Sequence, residues 1–155
     1  MPDDPDAFAI SPSPSGRLLC GGCAAEDRCR LGIDAVDATR FDVVCPAHWQ
    51  GGPGVAHGGW TAAVFDEVLN LAALSTEPRL VTKSLTVSYL RPVPVERPLL
   101  VTARIDHHAG RDWTVSARMS LAGTPLATAH AELRTRRPDH YARHEGWLAS
   151  HNQEE

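Results

Sequence analysis

Hydrophobic and polar positions change period as the chain is read. From Gly58 to about Leu74, Trp60, Ala63, Val64, Val68, Leu71 and Ala72 recur at helical spacings with good helix formers between them. This pattern predicts one helix, apolar on most sides and hence deeply buried. Beyond it the period falls to two, and strands are predicted over 81–90, 99–105, 113–121 and 126–136. In the third, Trp113, Val115, Ala117, Met119 and Leu121 alternate with Asp112, Thr114, Ser116, Arg118 and Ser120, one face for the core and one for water. A further strand-like run covers 40–45, and Gly51-Gly52-Pro53-Gly54 then breaks regular structure before His57. Arg91-Pro92-Val93-Pro94, Ala109-Gly110 and Gly123 mark turns short enough for an antiparallel meander. A buried helix with one strand before it and four after it must be wrapped by a curved sheet. The fold class expected is α+β, a curved antiparallel sheet of about five strands around one long central helix.

The flanks differ from this centre. Residues 1–17, rich in Pro, Asp and Ser, read as a flexible lead-in that cannot bury enough apolar surface to order itself, 18–137 as the folded domain, and 138–155 as a solvated tail or short surface helix carrying His140, His144 and His151. With 43% hydrophobic and 22% charged residues, the composition is that of one soluble globular domain. The longest apolar stretch, Ala62 to Leu74, is interrupted by Asp66, Glu67 and Asn70, so no membrane span is expected. No secretory signal is visible at the acidic N-terminus, and a cytoplasmic location is the default expectation. A net charge of −4 with both signs scattered gives no footprint for nucleic acid, while local arginines could still hold a small polyanion. Cys20, Cys23, Cys29 and Cys45 lie early in the chain. Cys20-Gly-Gly-Cys23 has the spacing of a zinc knuckle, but the spacing beyond Cys23 is irregular for a zinc module, so ordinary buried or loop thiols are the stronger reading and no metal is assigned.

Candidate chemistry centres on the helix. Asp66, Glu67 and Asn70 fall within an arc of roughly 100°, and the same strip runs back over the small residues Ala63, Ala62 and Gly59, which leaves a slot beside an acid. Two adjacent carboxylates on a buried helix need partners, a raised pKa or a task. Arg104, Arg118 or Arg134 could neutralise one of them, most naturally Glu67, freeing Asp66 as general base or nucleophile. At the helix start, His57-Gly58-Gly59 presents unobstructed N–H groups where donors and dipole both favour an oxyanion, although the glycines equally suit a tight passage from loop to helix. Gly58 and Asp66 are eight residues apart, a rise of about 12 Å, too far for one reacting carbonyl to touch both. Two such helices antiparallel across a two-fold axis would bring one subunit's Gly58 to the other's Asp66.

The run Gln50-Gly51-Gly52-Pro53-Gly54-Val55-Ala56-His57-Gly58-Gly59, followed by Asp66-Glu67, resembles the hotdog-fold acyl-CoA thioesterases of the phenylacetate-degradation type. Thr82 to Pro94, Gly110-Arg111-Asp112-Trp113 and Cys20-x-x-Cys23 with Leu31-Gly32-Ile33 are similar to the branch of thioesterase superfamily member 4, although the usual Asn-Pro of its N-terminal segment is replaced by Asp27-Arg28-Cys29-Arg30. The resemblance implies hydrolysis of acyl-CoA without a cofactor, by a homodimer or dimer of dimers with interface sites. It implies a catalytic set of Asp66 as carboxylate, Gly58 as backbone donor, His57 beside it, Thr82 as the hydroxyl that places water, and Glu67 adjacent. Gln50, Gly59, Trp60, Asn70 and Lys83 are the candidate substrate-binding positions. Some relatives place Asn where Gly51 stands, and Gln50 is the nearest side-chain amide that could replace it. Arg91, Arg97, Arg134 and Arg136 are available to CoA phosphates, but none is singled out. An acyl-CoA-binding protein without catalysis and a thioesterase for acyl carrier protein are the alternative functions.

Overall fold

The computed structural model describes residues 11–12, 18–20, 23, 26–74 and 76–152. Two short strands, β1 (Ser11–Pro12) and β2 (Leu18–Leu19), pair with each other. The main sheet comprises β3 (Ile33–Ala35), β4 (Arg40–Val44), β5 (Leu80–Tyr89), β6 (Pro98–Ala109), β7 (Asp112–Leu121) and β8 (Thr124–Thr135). All pairs are antiparallel, in the order β3-β4-β6-β7-β8-β5. The sheet therefore has six strands where about five were expected. The extra one, β3, is three residues long and too short to show a period of its own.

Helix α1 (Gly58–Leu74) lies across the inner face of β5, β6, β7 and β8. Period-two alternation explains that face: Val101, Ala103, Trp113, Val115, Ala117, Met119, Ala127, Ala129, Ala131 and Leu133 are buried. Ala103, Ala117, Ala129 and Ala131 keep the sheet low where the helix crosses. From the helix, Trp60, Val64, Phe65, Val68, Leu69 and Ala73 are completely enclosed against this floor. Burial of each large side chain contributes about 1.5–3 kcal/mol, which is what holds the helix to the sheet.

Burial on α1 is one-sided rather than nearly complete. Ala62, Ala63, Asp66, Glu67 and Asn70 are only partly covered, and Gly58 and Gly59 are exposed, so the polar strip with its small residues forms an open flank. The edge strand β5 borders it, paired among the described residues to β8 alone. After β8, α2 (His140–His151) continues the chain as a surface helix with no buried residue. No helix among the described residues is long and apolar enough to cross a membrane.

Candidate active site

The loop leading to α1 is tied down before the helix begins. The Gly51 and Val55 N–H groups donate to the Val55 and Gly52 carbonyls at 2.8 and 3.0 Å, the Ala56 N–H donates to the Val93 carbonyl at 2.7 Å, and the His57 N–H donates to the Trp49 carbonyl at 2.8 Å. Gln50 Oε1 accepts from the Gly54 N–H at 3.1 Å and braces the turn. A Cβ on Gly51 would stand 3.1 Å from the His57 Cα. That close approach favours glycine at the position where some relatives carry Asn.

His57 caps the helix. Its carbonyl accepts from Trp60 N–H at 2.9 Å, and its Nδ1 accepts from Gly59 N–H at 2.9 Å, which leaves Nε2 to carry the ring proton when the ring is neutral. Gly59 is thereby occupied internally. The Gly58 N–H has no acceptor among the described residues, and it opens the positive end of the helix dipole. Tyr89, at the end of β5, donates its hydroxyl to the Gly58 carbonyl at 2.7 Å and fixes that peptide. Sequence reasoning missed Tyr89, which reads as one more strand residue until the fold brings it over the helix start.

Two turns along, Asp66, Asn70 and Thr82 form one hydrogen-bonded group. The Thr82 hydroxyl donates to Asp66 Oδ1 at 2.7 Å, and Asn70 Nδ2 donates to Thr82 Oγ1 at 2.9 Å and to the Asp66 carbonyl at 2.8 Å. Asp66 Oδ2 has no partner among the described residues. The strand meets the helix here because of a register shift. Leu85 pairs with the buried Ala131 and Ser84 with Glu132, yet Thr82 pairs with the buried Leu133, leaving Lys83 as the extra residue of a bulge. Without it, strict alternation would turn Thr82 to the outer face. Lys83 points to Glu132, 3.9 Å away, and does not line the cavity beside Asp66.

That cavity, of about 370 Å³, is bounded by Asp66, Glu67, Asn70, Thr82, Cys20 and Tyr141 among others. Trp60 is not part of it. It is fully buried, with its indole N–H donating to the Leu31 carbonyl at 3.0 Å. Burial raises the Glu67 pKa, the neighbouring Asp66 charge raises it further, and Arg30 partly opposes both. The arginines expected to neutralise this acid are elsewhere. Arg104 binds Asp106 and Arg134 binds Asp112, at 2.8 and 3.0 Å, and Arg118 lines a groove with Thr86, Ser88 and Ser116; all three belong to the alternating set that faces away from the helix.

Cys20 and Cys23 are neighbours: burial raises the Cys20 thiol pKa, and a side-chain hydrogen bond with Cys23 raises it further. Among the described residues no group of three or more His, Cys, Asp or Glu side chains is placed to hold a metal ion. Cys45 is enclosed in the core, and burial pushes its thiol up to about 11. Cys23 Sγ accepts from the Arg30 N–H at 3.4 Å.

Comparison with known proteins agrees with this architecture. Residues 53–135 match the family model described as Thioesterase superfamily. The acyl-coenzyme A thioesterase THEM4 of Rattus norvegicus is 31% identical over 85 residues, which are 55% of this chain and 36% of that protein. Its Mus musculus counterpart is 33% identical over 69 residues, or 44% and 30% of the two chains, so this chain spans about a third of the length of these curated relatives. Among solved structures, a phenylacetic acid degradation-related protein of Ralstonia eutropha JMP134 superposes with a TM-score of 0.59 at 27% identity, covering 66% of this chain and 82% of that one. The PaaI protein of E. coli has a TM-score of 0.64 at 20% identity, covering 69% and 81%. A Streptococcus mutans UA159 protein solved bound to acetyl CoA has a TM-score of 0.66 at 20% identity, covering 72% and 94%. The last two likenesses establish the hotdog fold, and with more than half its length inside the family match this chain belongs to the thioesterase superfamily.

Proposed function

We propose that this chain hydrolyses acyl-CoA thioesters to the free acid and CoA, working as a homodimer whose two sites each combine Asp66 of one subunit with Gly58 of the other. One observation carries the reading: the acid and the Gly58 N–H sit at opposite ends of the same strand edge, with the donor unoccupied and the edge unpaired among the described residues. Thr82, near the start of β5, holds Asp66, and Tyr89, at its end, holds Gly58. A long strand with one open edge is a template for pairing with a second chain. If β5 pairs antiparallel with its own copy, the Tyr89 end of one strand lies against the Thr82 end of the other, and each Gly58 approaches the opposite Asp66. The exposed Tyr89 and Leu90 and the open flank of α1 would be covered in the same step.

In each site Asp66 Oδ2 takes a proton from a water whose oxygen attacks the thioester carbonyl, while the Thr82 hydroxyl holds Oδ1 and so orients the carboxylate. Negative charge developing on the carbonyl oxygen is met by the Gly58 N–H and the helix dipole. Collapse of the tetrahedral intermediate breaks the C–S bond, and the CoA thiolate recovers the proton from Asp66 or from solvent. Thiolate is a good leaving group, so no further acid is needed. His57 keeps Gly59 occupied and thereby leaves Gly58 as the donor.

The test measures thiol release from short, medium, long and aromatic acyl-CoA esters. Asp66→Ala should abolish release, and Glu67→Ala should retain it with the dimer intact. Gly58→Pro removes the N–H at a first helical position that tolerates proline, and should also abolish release. Equal co-expression of the Asp66→Ala and Gly58→Pro chains should restore about a quarter of wild-type activity, because half the dimers regain one of two sites. Mixed dimers as inactive as their parents would refute the shared site.

A further inference from the structure

A cluster of basic side chains lies next to the acid cavity and takes no part in the proposed hydrolytic step. Arg111, Arg134, Arg137, His140 and Arg143 surround a depression of about 360 Å³, with Asp139 the one carboxylate in its lining among the described residues. Two of the arginines have internal tasks: Arg134 binds Asp112 at 3.0 Å, and Arg111 donates from Nε and Nη2 to the Thr135 carbonyl at 3.0 and 2.8 Å. Arg137 and Arg143 make no ion pair or side-chain hydrogen bond among the described residues, and both are exposed. Two guanidinium groups beside further arginines repel one another unless an anion lies between them.

The position of this cluster in the fold gives it a direction. Arg134 on β8 pairs directly with Val81 on β5, and Val81 lines the acid cavity. The consecutive residues His140 and Tyr141, in the first turn of α2, face the two depressions separately, His140 the basic one and Tyr141 the acidic one. Thus α2 begins as the ridge between them. A ligand that is neutral at its reacting end and polyanionic at the other would fit across this ridge, and acyl-CoA has that form: a thioester, a flexible pantetheine arm, then a pyrophosphate and a ribose 3′-phosphate.

Resting on the acyl-CoA reading of the catalytic site, we infer that the depression formed by Arg111, Arg134, Arg137, His140 and Arg143 is the subsite for the nucleotide phosphates of CoA on the acid-bearing subunit. Arg137 and Arg143 are the residues free to meet phosphate oxygens through charge-assisted, bidentate hydrogen bonds. Arg134 and Arg111 frame the subsite while holding β7 to β8. The contacts are solvent-exposed, so the contribution is moderate and sensitive to salt.

Two measurements test it, using the Arg137→Ala/Arg143→Ala double variant of the full chain. The first compares hydrolysis of an acyl-CoA with that of the matching S-acyl-pantetheine, which lacks every phosphate. The KM for acyl-CoA should rise about tenfold with kcat unchanged, whereas the KM for S-acyl-pantetheine should not move. Equal effects on both esters, or no effect on either, would overturn the assignment. So would hydrolysis of acyl carrier protein whose KM alone responds to the two substitutions. The second reads binding of adenosine 3′,5′-bisphosphate by calorimetry and is independent of turnover. Binding to wild type that is lost in the double variant supports the subsite even if neither ester is hydrolysed, in which case only the catalytic reading fails. Absence of binding to wild type overturns the subsite.

Discussion

Thr82→Val separates the hydroxyl from the shape of its side chain and tests the link between strand and acid. Valine is a good strand former of nearly the same volume, so β5 and its bulge at Lys83 should persist. What disappears is the 2.7 Å hydrogen bond to Asp66 Oδ1 and the acceptor for Asn70 Nδ2, which keeps its 2.8 Å bond to the Asp66 carbonyl. A hydrogen bond to a charged group contributes about 1.5–3 kcal/mol, and the exposure of Thr82 places this one near the lower end. At about 1.4 kcal/mol per factor of ten, kcat for thiol release at saturating acyl-CoA should fall about tenfold. Thr82→Ser keeps the hydroxyl and should stay within about threefold of wild type, allowing for the looser rotamer of serine. Both variants should sediment as the wild type does. A Val variant that turns over as fast as wild type, or a Ser variant as slow as the Val variant, would refute the idea that Thr82 orients the carboxylate.

Three further outcomes are expected. Glu67 has a raised pKa in the folded protein, first from burial and then from Asp66. Its contribution to stability is therefore fully present below the unfolded value near 4.5 and is lost as pH rises through the raised folded value. Glu67→Gln should accordingly gain in Tm relative to wild type between pH 4 and pH 8, and an equal offset at both pH values would contradict this. Phe65→Ala leaves a cavity where a completely enclosed ring stood against the sheet, and denaturant unfolding should show a loss of about 3–5 kcal/mol. Gly32 has φ +82°, and a Cβ there would lie 2.1 Å from the Val44 carbonyl oxygen. Gly32→Ala should therefore destabilise the β3–β4 corner by more than about 1 kcal/mol, read as a lower denaturant midpoint.

The helix and the long strands were legible because their signal is local. Glycines at 58 and 59 and the apolar spacing mark α1, and the alternation around Trp113 to Leu121 marks β7, each bounded as observed to within a residue. The strip of Asp66, Glu67 and Asn70 was equally legible, since helical geometry alone places those residues together. What the sequence hid depended on contacts between distant segments. The acids' expected arginine partners failed because Arg104, Arg118 and Arg134 stand at positions of the wrong parity, facing away from α1, and parity becomes visible only once the buried set of each strand is known. Arg30, the cation that does act on Glu67, comes from the irregular segment before β3, where no period exists to read. The depression at the start of α2 was hidden for a similar reason, because Arg111, Arg134 and Arg143 come from three different elements.

The bulge at Lys83 connects these levels. It adds one residue to β5, and that residue turns Thr82 toward the helix while Val81 remains on the side of Arg134. The same irregularity therefore sets the hydroxyl against Asp66 and leaves the neighbouring strand position at the margin between the acid cavity and the basic depression. At the other end of β5 no bulge is needed, since normal alternation already brings Tyr89 over Gly58. With the bulge discounted, the strand between those two contacts spans six paired positions, Thr82 opposite Leu133 to Tyr89 opposite Ala127, or about 20 Å, and the rise between Gly58 and Asp66 on the helix is about 12 Å. Within one subunit, donor and acid therefore stay too far apart to touch one reacting carbonyl. The proposed antiparallel pairing of β5 with a second copy would close that distance by symmetry, which is why the edge of β5 left unpaired among the described residues, rather than any single side chain, is the feature on which the proposed chemistry depends.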